Sequence, residues 1–273
     1  MVKFIVEWDE TMWNTGKFVL TTEQMNIVCY AWIATALMVF VTMQYVTAPY
    51  GRHTSTKWGP SVNNKAAWFI KELNTFFVML YYMVVGSKTF KSYVWILFAF
   101  WVIHYFYRTF IYVPMCRSTE KKMPFVIVLM SIFFNQVNAY INGFYLSEMA
   151  DPADFGKEWL QSKLFLTGLV VFLTGAFINF KTDLTLIHLR KVGETDYKIP
   201  RGFLFELVVS PNFLGEIIEW FGFYLMARRN VAALCFAVWT FANLTPRAKN
   251  HSDWYKINFK NFPKRKIIIP FIY

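Results

Sequence analysis

Apolar positions in this chain gather into runs of membrane length, separated by short polar connections. The runs include Ile27 to Tyr45, Tyr93 to Ile103, Phe125 to Phe134, Leu164 to Phe180 and Val231 to Phe241. A helix needs roughly 20 mostly apolar residues to cross about 30 Å of hydrocarbon. The pattern predicts an all-α integral membrane protein of seven transmembrane helices, at about 22–46, 66–86, 90–114, 123–147, 159–182, 211–227 and 230–246. A tail, 247–273, follows, and the whole reads as a single membrane domain.

Polar residues break this pattern most strongly between Asn179 and Trp220. Continued as a helix, Asn179, Asp183 and Arg190 stand at i, i+4 and i+11, which is one face. Ser210 and Pro211 read as the N-cap and first position of the next helix, with Asn212 and Glu216 four apart just inside it. Polar groups at membrane depth are costly and mark functional sites by default. This face is expected to hold a cofactor.

Charge fixes an orientation. The chain of 273 residues carries Lys+Arg 28 against Asp+Glu 17, a net charge of +11. With the N-terminus outside and the C-terminus cytosolic, most of these cations fall on inside segments, notably 181–201 and 247–266. They alternate with span ends and form no stripe on a soluble module, which argues against nucleic acid as a partner. The tail, basic and then apolar, reads as lying on the cytosolic membrane surface. The first residues, with Glu7, Asp9 and Glu10, lack the pattern of a cleaved signal, so the first span is expected to direct insertion. Three scattered cysteines and four histidines offer no metal-ligand spacing, and no metal is expected.

Two buried positions carry candidate chemistry. Glu72 stands about 9 Å from the inside end of the second span, and Tyr105 about 13 Å from that of the third, so they meet at similar depth. Glu72 could instead pair with Arg108 or Lys71 to tie helices together, and Tyr105 could be an interior aromatic satisfied locally. Lys71 is expected to snorkel toward the inside surface. Tyr105, Arg108 and Tyr112 share a face at i, i+3 and i+7. Asn138 and Asn142 read as interhelical hydrogen-bonding groups, and Gly168, Gly175 and Ala176 as a close-packing surface. No Rossmann glycine pattern, P-loop or nucleophile elbow occurs. What remains suits a lipid-soluble substrate entering from the membrane and a polyanionic cofactor entering from the cytosol.

Several stretches together are highly specific: Y-G-R-H-T, A-A-W-F-I-K-E-L, H-Y-F-Y-R-T-F-I-Y, N-F-K-T-D with L-R-K-V-G-E, Y-K-I-P-R-G, N-F-L-G-E-I-I-E-W, and the tail R-A-K-N-H-S-D-W-Y followed by F-P-K-R-K-I-I-I-P-F. Through them the chain resembles the steroid 5α-reductase family from Tyr50 to Tyr273. The resemblance implies NADPH as cofactor and hydride transfer to the β-carbon of a steroid enone, giving the 5α ketone. It implies that Glu72 and Tyr105 hydrogen-bond the 3-oxo group. It carries cofactor binding onto Arg108, Tyr112, Asn179, Asp183, Arg190, Tyr197, Asn212, Glu216, Arg247, His251 and Tyr255, and also onto Trp68, Arg52 and Lys198. The loop R-S-T-E-K-K aligns poorly, so no phosphate ligands are assigned in 116–122, and Arg265 stays ambiguous. A tyrosine and a neutral carboxylic acid around a steroid oxygen is the ketosteroid isomerase arrangement, and burial favours the neutral form of an acid. The expected membrane is the endoplasmic reticulum in a eukaryote or the inner membrane in a bacterium. Membrane enoyl-thioester or polyprenol reduction on the same fold is the alternative. A non-catalytic transporter is disfavoured by the lack of an inverted repeat.

Overall fold

The computed structural model describes residues 20–117, 121–191, 194 and 196–273. Seven long helices organise these residues: α1 (Thr22–Thr42), α2 (Asn64–Val85), α3 (Trp95–Met115), α4 (Phe125–Met149), α5 (Lys163–His188), α6 (Pro211–Met226) and α7 (Val231–Asn258). Their starts follow capping chemistry. Thr21 and Gln24 form a reciprocal capping box on α1, Asn63 accepts from Lys65 and Ala66 on α2, and Ser162 accepts from the Phe165 amide on α5. At α6 the expected cap is only half made. Ser210 occupies the position and Pro211 follows it, but the hydroxyl makes no capping bond.

The first five helices are long and apolar enough to cross a membrane. Among the described residues α6 and α7 are not: α6 has 16 residues, and α7 turns polar beyond Thr245 as it runs to Asn258. The sequence reading ends that last helix at about 246. It continues because Pro246 is accommodated inside it, while Ala248, Ser252 and Tyr255 stay buried.

The closest helix pair is α5 against α6, and its cause is glycine. A Cβ on Gly175 would stand 2.2 Å from the Glu219 amide nitrogen, and one on Gly215 would stand 2.5 Å from that of Asn179. Gly168 and Gly222, seven residues away on each helix, meet backbone in the same way. Small residues let backbones approach, which is how helices associate where lipid removes the usual hydrophobic drive. Trp101 of α3, Trp220 of α6 and Phe236 of α7 fill the adjoining core, with ring centroids 4.5–4.7 Å apart.

Asparagines in α4 act differently from expectation. Asn142 bonds back to the Asn138 carbonyl of its own helix, whereas Asn135 reaches the Lys71 carbonyl on α2 at 2.9 Å. Asn138 does cross over, accepting from the Trp32 indole of α1. Around the polar end of the bundle, β1 (Ser61–Asn63) pairs antiparallel with β2 (Lys122–Pro124). Part of the C-terminal tail packs on the bundle, while Phe271 and Ile272 stay exposed. Lys266 bridges to Val208, and Ile268 is buried on Phe213, Leu244 and Ala248, because its apolar side chains find the ends of α6 and α7.

Candidate active site

Packing of α2, α3, α6 and α7 leaves a cavity of about 510 Å³, within the range of small-molecule sites. Trp68, Glu72, Tyr105, Arg108, Glu216 and Arg247 line it, together with α1 and α4 residues such as Val39 and Phe133. The shared depth inferred for Glu72 and Tyr105 is realised as one cavity wall. Glu72 also makes the ion pairs considered for it: Lys71 Nζ stands 3.3 Å from Oε1, and Arg108 Nη2 stands 4.0 Å away. Arg108 Nη1 continues to Asp183 at 3.0 Å. Lys71 turns back along α2 toward Trp68. Its ammonium lies 3.3 Å from the Trp68 ring centroid, between the indole face and Glu72.

α3 deviates from the simple face that spacing gives. A π-helical turn from Tyr107 to Tyr112 places the Tyr112 ring 4.5 Å from the Arg108 guanidinium. Next to it, the Asn179 side-chain amide donates to the Asn212 carbonyl at 3.0 Å across the glycine contact of α5 and α6.

A second group lies at the polar end. The Arg52 guanidinium stands over the Tyr197, Trp254 and Tyr255 rings, and Arg190 stands over Tyr197. Arg190 is two residues past the end of α5, so it reaches this group from a loop and not from the helical face its spacing suggested. His251 stacks on His53 with centroids 5.6 Å apart and also meets Phe213, while Arg247 lies over Phe213 and Tyr50, joining this group to the cavity. Lys198 is not drawn in: it is exposed and pairs with Glu194 at 2.5 Å.

Residues 121–273 match the family of 3-oxo-5-alpha-steroid 4-dehydrogenases. The Homo sapiens 3-oxo-5-alpha-steroid 4-dehydrogenase 1 is 40% identical over 247 residues, covering 89% of this chain and 93% of that protein. The chain belongs to the 3-oxo-5-alpha-steroid 4-dehydrogenase family. The Arabidopsis thaliana steroid 5-alpha-reductase DET2 is 39% identical over 240 residues, 85% of this chain and 90% of that protein. The Gossypium hirsutum steroid 5-alpha-reductase DET2 is 37% identical over 243 residues, 87% of this chain and 93% of that protein.

In this member of the 3-oxo-5-alpha-steroid 4-dehydrogenase family, the polar end has the donor chemistry of a phosphate site. Nη1 of Arg52 and of Arg190 and Nε2 of His53 are buried with no hydrogen-bond partner among the described residues. Unpaired buried donors are costly, and an anionic group would satisfy them. Lys121 bonds the Tyr197 hydroxyl beside them. Burial, with Arg190 and Arg52 nearby, pushes its ammonium down to about 8. Burial first, then Arg52 and Arg247, pushes His53 down to about 4, and the same causes hold His251 well below the usual histidine range.

Sequence reasoning missed Lys121 and Lys71 as members of the site. It also missed His104, whose Nδ1 lies 2.7 Å from Glu219 Oε1. His104 is the neighbour of Tyr105 and Glu219 stands three residues after Glu216, so proximity to candidates was the signal available.

Proposed function

We propose that this chain reduces the carbon–carbon double bond of a 3-oxo-4-ene steroid to the 5α product, using NADPH. The observation that carries the reading is a cavity holding Glu72 and Tyr105 whose wall residue Arg247 packs on Phe213, the ring that His251 of the aromatic, cationic end also meets. The names of its relatives, steroid 5-alpha-reductases, support the same substrate class. NADPH, when bound, supplies hydride to the enone β-carbon. Arg52, Lys121 and Arg190 are the residues that would hold its phosphates. Tyr197, Tyr255 and His251 would flank it, and Arg108, Tyr112, Asn179, Asp183, Asn212, Glu216 and Arg247 would line its path to the substrate.

The chain's own residues act on the ketone. The Tyr105 hydroxyl donates a hydrogen bond to the 3-oxo group and stabilises the oxyanion as it forms. Glu72 gives a second donor when a proton crosses from Lys71, since neutralising a buried ion pair is an alternative to solvating it. Aromatic and aliphatic walls exclude water, which strengthens both contacts. In this reading α6 and α7 also cross the membrane, for seven spans, with the N-terminus outside and the cationic end in the cytosol. The steroid arrives through membrane lipid.

Product analysis tests the proposal. Purified protein given NADPH with testosterone, progesterone and an enoyl thioester in parallel is expected to saturate the steroids; reduction of the thioester alone rejects the steroid assignment. Arg190→Ala is expected to weaken NADPH binding by about 10-fold or more, the value of one charged hydrogen bond, with a smaller loss for NADH. An equal loss for both cofactors would exclude contact with the ribose phosphate.

Lys121 gives a pH dependence. Phosphate pairs with the ammonium form, so affinity for NADPH is present below about pH 8 and declines as pH rises through it. Near pH 8, binding takes up a proton, read as a buffer-dependent heat in titration calorimetry. Lys121→Met is expected to abolish that uptake.

A further inference from the structure

One buried pair beside the ketone site has no part in the chemistry described so far. His104 lines the same cavity as Glu72, Tyr105 and Glu216, and its Nδ1 is held by Glu219 at 2.7 Å. Engagement of Nδ1 leaves Nε2 as the ring nitrogen available for chemistry. His104 and Tyr105 are consecutive on α3, with ring centroids 5.1 Å apart, and the Trp220 ring stands 4.8 Å from the imidazole. Glu219 is itself fixed, because its backbone nitrogen is at the glycine contact with Gly175.

Reduction of an enone needs one hydride and one proton. The proton goes to the α-carbon, one bond from the ketone carbon that Tyr105 is proposed to grip. Its donor must therefore sit next to Tyr105, and His104 does. Resting on that reading of the site, we infer that His104 is the catalytic acid that delivers this proton, with Glu219 as its positioning residue. After hydride from the reduced nicotinamide dinucleotide reaches the β-carbon, the enolate C=C electron pair takes the proton from Nε2–H. The new Cα–H bond forms, the N–H bond breaks, the C=O bond is restored, and a neutral imidazole remains to be reprotonated from water. Glu219 holds the ring in place and balances its charge, as a carboxylate does for a catalytic histidine. Among the other cations on the cavity wall, Lys71 is held by Glu72 and Trp68, Arg108 by Asp183, and Arg247 lies over Tyr50 and Phe213.

The reverse proton step can be observed without any nicotinamide. The protein is incubated in D2O with a saturated 3-oxo-5α-steroid, and deuterium at C4 is followed by mass spectrometry. Steroid reduction and steroid binding, by tryptophan quenching, are measured separately on the same preparations. Wild type is expected to catalyse exchange, and His104→Gln to lower it by about 100-fold, the scale of general acid–base catalysis. Bound steroid and thermal unfolding are expected to stay unchanged. His104→Ala is expected to regain part of the exchange when imidazole is added, and Glu219→Gln to lower kcat while KM for steroid holds. Exchange at the wild-type rate in His104→Gln overturns the assignment. So does loss of exchange in Lys71→Met while His104→Gln retains it, or exchange absent from wild type. In that last case the separate reduction assay shows whether the steroid reading survives.

Discussion

Tyr105→Phe is expected to lower steroid turnover by about 10²- to 10³-fold while NADPH affinity stays near that of wild type. Removing one preorganised donor from a developing oxyanion costs roughly 3–4 kcal/mol in rate, because the partner it replaces is absent from a closed site. Phenylalanine keeps the ring that packs on Trp101 and His104, so the fold is not the variable. The phosphate contacts proposed here lie on Arg52, Lys121 and Arg190, none of which lines the cavity that Tyr105 shares. Glu72→Gln is the companion. It keeps the shape but loses both the ion pair with Lys71 and the transferable proton, so turnover is expected to fall with cofactor affinity largely retained. Stopped-flow hydride transfer and NADPH titration together check both variants. Wild-type turnover in either one removes that side chain from the mechanism.

Gly175→Leu is expected to abolish the folded protein, with a cost of at least about 3 kcal/mol, the upper part of the overpacking range. Even a Cβ would stand 2.2 Å from the Glu219 nitrogen and 2.6 Å from the Gly215 carbonyl oxygen. Both are main-chain atoms of a helix interior, so no rotamer change relieves the clash, and α5 and α6 must part. Parting them breaks the Asn179–Asn212 bond and shifts Glu219 from His104. Leu173→Ala, on an exposed part of the same helix, is the control and is expected to leave the unfolding temperature within a few degrees. Size-exclusion profile and thermal unfolding in detergent decide the matter; a monodisperse Gly175→Leu protein of normal stability would refute the packing argument.

Helix placement was legible because hydrocarbon imposes a length and excludes charge, and runs such as Leu164 to Phe180 obey both rules. The limits were local. Arg190 shares the period of α5 but lies beyond its end, since period alone carries no stop signal. The π-helical turn around Arg108 changes which residues face one another without changing composition. That Glu72 and Tyr105 would come together was readable from depth, which is a one-dimensional quantity, and they line one cavity. The pairing of His104 with Glu219 joins residues 115 apart, and nothing in either neighbourhood announces the other. Lys121 was unreadable for a similar reason: its loop matches no motif, and only folding brings it to Tyr197.

The glycine contact has a consequence for substrate range. A contact made of main chain has no torsions to vary, so the spacing between Asn179 and Asn212 acts as a ruler of one length. Asn179 and Asn212 do not line the cavity, but α6 does through Phe213 and Glu216. Room for a bulkier or slimmer sterol skeleton must therefore come from walls that this contact does not hold, where Thr35 and Val39 of α1 and Met130 and Phe133 of α4 meet the cavity. Breadth of substrate choice in this architecture is thus written on one side of the chamber, and the other side keeps the measure.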